Sequence, residues 1–272
     1  MKAIKISSYL ILVLVTFVLG CSKKKDLIDE NNKWIFPDPT DVAYMRIIHS
    51  HAANAPSLIT GATTGPQLFI YLNSQKLNGT SLSYAGAWPA TSVYAAVPAG
   101  LKTYEFVMAR MNTATPSVPI PMAGDTIARA YLTTDAGKYY SLYLVDTFPA
   151  LKTLMIEDPQ RIPANGFYSI RLVNTTANVK DTLCLFSRLT QTNIINNITH
   201  KNSSSFVELP LPLLSDTLEV RKKGTVVAAY FVGSQTAPQS FSPTGKRIYT
   251  VVARGKDALT GKTPSASLIT NY

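Results

Sequence analysis

The chain has 272 residues, 46% of them hydrophobic and 15% charged, with a formal net charge of +10. Such an apolar fraction can bury a core, which excludes global disorder, and the length suits about two domains of ~100–150 residues. Two Cys and three His exclude a disulfide framework and leave little for a catalytic metal centre, so no cofactor is expected.

Lys2 and Lys5 precede an apolar run from Tyr9 to Leu19. That run is shorter than the ~20 residues of a membrane-spanning helix and has the length of a signal-peptide core. It ends in Val18-Leu19-Gly20-Cys21, which resembles the lipobox of bacterial lipoproteins. The resemblance implies cleavage before Cys21, a diacylglycerol on its thiol and an acylated new amine. Two or more acyl chains hold a protein stably to a bilayer without spanning it. Residues 1–20 are therefore expected to be a signal peptide, and 21–40 the lipidated Cys and a polar, flexible linker. Ser22, by resemblance to enteric lipoproteins, suits sorting to an outer membrane; the periplasmic and outer faces both stay open.

The remainder reads as strands. Short runs of Val, Ile, Tyr, Phe and Leu alternate with Pro, Gly, Asn and Ser clusters, and no long segment keeps a helical period. In chain order the expected strands are 43–49, 67–72, 92–97, 102–109, 127–132, 139–145 and 153–157. They continue as 168–174, 182–186, 205–209, 217–221, 226–231, 248–253 and 265–269. This pattern predicts an all-β chain of two tandem β-sandwich domains, 41–158 and 166–272, joined by a proline-bearing linker at 159–165. Cys184, inside the apolar run Thr182-Leu-Cys-Leu-Phe186, is expected to be a small buried hydrophobe.

The halves echo each other. Met45-Arg-Ile-Ile-His-Ser50 resembles Ile170-Arg-Leu-Val-Asn-Thr175, with Arg46 and Arg171 at the same place. The first half, through Arg46-Ile-Ile-His-Ser-His-Ala-Ala-Asn-Ala-Pro56, Leu68-Phe-Ile-Tyr-Leu-Asn73 and Val97-Pro-Ala-Gly-Leu-Lys-Thr-Tyr-Glu-Phe106, resembles the DUF4397 family of secreted bacterial domains. The second half departs from that pattern: Asn174 stands where His49 does, and Leu209-Pro-Leu-Pro212 replaces Val-Pro-Ala-Gly. The resemblance implies an immunoglobulin-like or transthyretin-like sandwich and carries no assigned activity.

No nucleophile elbow, phosphate loop, zinc-helix motif or dinucleotide fingerprint occurs, so a non-catalytic role is expected. His49 and His51 share a strand face but are too few for a metal site, and Asp146 with Glu157-Asp158 is a candidate carboxylate pair for glycoside chemistry. Residues 166–272 hold twelve Lys and Arg against five Asp and Glu, a net +7. The excess gathers at Arg221-Lys222-Lys223, Lys246-Arg247 and Arg254/Lys256, and could meet an anionic envelope surface. Arg221, Lys222 and Lys223 are thus candidate ligand contacts. So is Trp88, in an apparent loop where an indole could stack on a sugar or anchor a protein. The sequence-based expectation is a lipid-anchored binding, adhesion or scaffolding module, with a glycan-binding accessory of a polysaccharide uptake system as the alternative and an enzyme of unknown type third. The partners expected are the membrane and an envelope glycan or protein, with no nucleic acid.

Overall fold

The computed structural model describes residues 39–52, 67–90, 93–108, 126–147, 151–234, 237–257 and 263–271. Cys21, the signal segment and the linker as far as residue 38 lie outside them. Thr40–Tyr272 forms one compact unit.

Among the described residues, nine strands build the first half: β1 (Val42–His49), β2 (Leu68–Leu72), β3 (Gln75–Lys76), β4 (Ala87–Trp88), β5 (Ala95–Pro98), β6 (Gly100–Met108), β7 (Thr126–Thr134), β8 (Tyr139–Val145) and β9 (Lys152–Glu157). One sheet runs β4-β1-β8-β9, with β5 also on β1; the other runs β3-β2-β6-β7. The β1–β8 pair is parallel and the remaining pairs are antiparallel. The β2–β3 hairpin turns on Asn73 and Ser74, both at positive φ (46° and 69°), the geometry a two-residue hairpin needs.

The second half repeats this connectivity strand for strand. Its members are β10 (Phe167–Asn174), β11 (Leu183–Ser187), β12 (Thr192–Ile198), β13 (Asn202–Ser203), β14 (Val207–Pro210), β15 (Leu218–Lys222), β16 (Tyr230–Phe231), β17 (Ile248–Arg254) and β18 (Ser265–Thr270). One sheet runs β13-β10-β17-β18 with β14 on β10, the other β12-β11-β15-β16, and β10–β17 is again the parallel pair. The registers match too: Arg46 lies opposite Ser141, and Arg171 opposite Thr250.

Each half is a sandwich with its own core. Met45, Ile47, Leu142 and Leu144 point inward with Ile70, Tyr104 and Phe106 in the first, as Ile170, Leu172 and Val251 do with Leu185 and Val220 in the second. The alternate residues of the parallel pairs, Ile48, Tyr143 and Val145 against Val173 and Val252, form a third core at the joint. The central strands are therefore buried on both faces, which explains why they read as continuous apolar runs.

Polar groups at the joint are exchanged between halves. Arg171 of the second half donates through Nη2 to Oδ1 of Asp158, the residue after β9, and through Nε to Thr250 Oγ1 at 3.0 Å. Arg46 of the first half donates through Nη2 to the carbonyl of Asn271, the residue after β18, at 3.2 Å. Asp158 Oδ2 also accepts from Ser141 (2.6 Å) and Tyr94 (2.7 Å). Arg46, Arg171 and Asp158 are all buried, at 1–2% exposure. At the far ends of the same strands, Lys201 and His200 reach Asp146, and Arg254 reaches the Ala85 carbonyl. β1, β8, β10 and β17 therefore all begin at one end of the unit and finish at the other.

Most expected strands are present. The expected 226–231 strand is corrected: only Tyr230–Phe231 pairs, while Val226 and Val227 stand 84% and 72% exposed in the preceding turn. Their β-branched side chains suit a strand, but no neighbouring strand receives them. Removing one partner of the buried Arg171–Asp158 pair strands the other charge. Arg171→Ala or Asp158→Ala is therefore expected to lower unfolding stability by about 3–5 kcal/mol in urea titration; a loss under ~1 kcal/mol would show that the pair does not hold the joint.

Candidate binding cleft on the second half

On the outer face of β11–β15–β16 the alternation sets Cys184 and Phe186, Glu219 and Arg221, and Phe231 side by side: Cys184 opposes Arg221, and Glu219 lies between Phe186 and Phe231. Glu219 is 1% exposed, although it faces away from the sandwich core. Its Oε2 accepts from Arg221 Nε (2.8 Å) and Nη2 (2.7 Å), and its Oε1 accepts from Arg188 Nε. The Arg221 guanidinium lies 3.2 Å from the Phe186 ring centre, and that of Arg188 lies 5.3 Å from Phe231. Two fixed positive charges thus share one negative charge on an aromatic floor.

Above them opens a cleft of about 620 Å³, walled by Arg188, Gln191, Val226, Val227 and Phe231. Among the described residues the terminal nitrogens of Arg188 have no partner, and its side chain is 47% exposed. The cleft offers a guanidinium fork, a net positive charge and apolar walls, the donor set for a carboxylate, sulfate or phosphate attached to an organic body. A second cleft of about 540 Å³ lies beside the joint, lined by Ile156, Arg161, Arg171, Ser204, Phe206 and Glu208. There the Arg171 charge is already taken by Asp158.

The candidate contacts separate in space. Arg221 enters the cleft. Lys222, its neighbour along the strand, is held by Asp181 (3.0 Å) and Asp257 (3.2 Å), and those carboxylates raise its pKa. Lys223 is exposed in the following turn. Trp88 lies in β4 opposite Ile47, half-buried against the first core rather than in an open loop. Cys184 is free and buried, as its apolar setting suggested. Arg188, Glu219 and Phe231 were not singled out from the sequence. Glu219 and Arg221 stand two apart on one strand, so alternation already put them on one face; Arg188 meets them only through the β11–β15 register.

The carboxylate pair is corrected. Asp146 follows β8 and Asp158 follows β9, at opposite ends of one hairpin, about 20 Å apart at ~3.3 Å per residue. That exceeds the roughly 5–9.5 Å of a glycosidase pair. His49 and His51 are both fully buried, and His51 Nδ1 contacts the Val145 carbonyl at 3.2 Å. Among the described residues no three His, Cys, Asp or Glu side chains gather to hold a metal.

Burial holds the His51 pKa below its ordinary 6.5. Below that value the unfolded chain takes up a proton that the folded one resists, so this contribution is complete above pH 6.5 and declines as the pH falls. Melting curves are expected to show stability dropping as the pH falls below about 6.5, with His51→Gln flattening that slope; an unchanged slope would assign the loss to other groups.

A family model described as a domain of unknown function, DUF4397, matches residues 43–181. The match covers the first sandwich and continues through β10, so it contains Arg46, Asp158 and Arg171 together. No curated protein matches the chain. Spanning half of the sequence, the match shows that this chain belongs to the DUF4397 family.

Proposed function

We propose that the chain is a lipoprotein of the cell envelope, held by an acylated Cys21, and that it binds rather than transforms its ligand. The Gly20-Cys21 junction behind a short apolar run supports the anchor. The repeated strand order supports an origin by duplication, after which the second half took the ligand-binding role. A single observation carries the binding reading: Arg188 and Arg221 are clamped on buried Glu219, over Phe186 and Phe231, beneath an open cleft. A preset guanidinium loses little freedom when an anion arrives, which is where its affinity would come from. The ligand class is an acidic saccharide or another organic anion of the envelope. An outer-membrane location fits Ser22 behind the Cys, and a glycan-holding accessory for an uptake system is the narrower form of this reading.

Three measurements test it. Cys21→Ala should shift the protein from the membrane fraction to the soluble one, and the native protein should carry the added mass of its acyl chains; unmodified native protein would contradict the anchor. In titration calorimetry, uronic-acid oligosaccharides should bind while neutral ones do not. Arg188→Ala should weaken binding about tenfold or more, the equivalent of one charge-assisted hydrogen bond. Equal affinity for neutral and acidic sugars, or for the variant, would contradict the cleft.

A further inference from the structure

The two halves differ at the corner between their sheets. In the first half, Ala99 alone separates β5 from β6; in the second, Leu211-Pro-Leu-Leu-Ser-Asp-Thr217 separates β14 from β15. This insertion displays leucines: Leu213 is 102% exposed, Leu214 70%, and Leu211 36%. Beside it lies Phe167, partly exposed, whose carbonyl accepts from the Lys246 amide at 2.7 Å, while the Leu211 amide donates to the Gly166 carbonyl at 2.8 Å. A Cβ on Gly245 would meet Leu211 Cδ1 at 3.1 Å, so the Gly245-Lys246-Arg247 turn sits directly against the leucine loop.

The base of the loop is fixed. Asp216 is buried, and its carboxylate accepts from Ser187 Oγ (2.5 Å) and the amides of Leu189 (2.9 Å) and Thr217 (2.6 Å). The loop's acid is thus turned inward while its leucines face out. Charge differs between the halves as well. In the first half, Lys138 at the matching turn is neutralised by Asp135 and Glu157. Lys246 and Arg247 are exposed and, among the described residues, meet no carboxylate. Large apolar side chains at a fixed tip, rimmed by unpaired cations, match a phospholipid surface, where leucines enter the acyl boundary and cations meet phosphates.

Chain geometry agrees. β1 begins at Val42, at the same end of the unit as the starts of β10 and β17. The tether expected at residues 22–40 therefore leads into β1 at the end that carries the leucine loop, and it can span at most about 65 Å.

We propose that the Leu211–Leu214 loop, with Lys246 and Arg247, is a second membrane contact that seats the body on an anionic phospholipid surface. The proposal rests on the membrane attachment above only for which surface is near. Its test uses Thr40–Tyr272, a compact unit that has no acyl chain. This body should float with vesicles of phosphatidylcholine and phosphatidylglycerol, and much less with phosphatidylcholine alone. Leu213→Asp/Leu214→Asp and Lys246→Glu/Arg247→Glu should each reduce flotation about tenfold, with melting temperature unchanged because these side chains are exposed. Flotation of the wild-type body should fall with added salt. A body that stays unbound with both vesicles would overturn the proposal while leaving acylation of Cys21, read from native mass, untouched. Flotation insensitive to the leucine variants would overturn it equally. So would self-association lost in those variants, which would assign the loop to a second copy.

Discussion

Arginine exchange across the joint is the constraint on which the structure depends. Arg171 reaches from β10 to the residue that ends the first sandwich, and Arg46 reaches from β1 to the residue that ends the second. Each guanidinium must leave water to do this, and an unpaired buried charge is costly, so only one relative placement of the halves satisfies both. Asp158 absorbs one charge with help from Ser141 and Tyr94. Arg46, which meets no carboxylate among the described residues, lies over the Tyr94 ring at 4.4 Å and uses carbonyl acceptors. The apolar joint core supplies the area, and the arginines supply the register.

Register at the joint gives the ends of the molecule their meaning. With all four parallel-pair strands running the same way, one end collects the entry of the chain, the leucine loop and the exposed Lys246 and Arg247. The opposite end carries the paired Asp146–His200–Lys201 group. The cleft over Glu219 lies on neither end but on the outer sheet of the second half. A body seated by its entry end would keep that outer sheet open to the surroundings, the arrangement a tethered binding module needs.

The sequence carried the sandwich pattern well where alternation and burial agree. β8, expected at 139–145, lies at Tyr139–Val145, because every residue after Tyr139 is buried on one face or the other. β12 was missed: Thr192-Asn-Ile-Ile-Asn-Asn-Ile198 is rich in Asn, buries only Ile195 and Ile198, and follows β11 through an irregular register. The pairing of Arg46 with Arg171 as equivalents was legible as an echo, but their exchange was not, since each partner lies beyond the other half's last strand. The basic clusters misled in a similar way. Adjacent Arg221 and Lys222 read as one patch, yet on a strand they face opposite sides and find different carboxylates. Trp88 read as a loop because β4 is two residues long, too short for any periodic signal.

The claim that two sandwiches form one body through buried arginines is tested most directly by differential scanning calorimetry of Thr40–Tyr272. One heat-absorption peak, with equal calorimetric and van't Hoff enthalpies, is the result expected of a single cooperative unit. Two resolved peaks would show sandwiches that unfold independently, and the shared joint would no longer account for their placement.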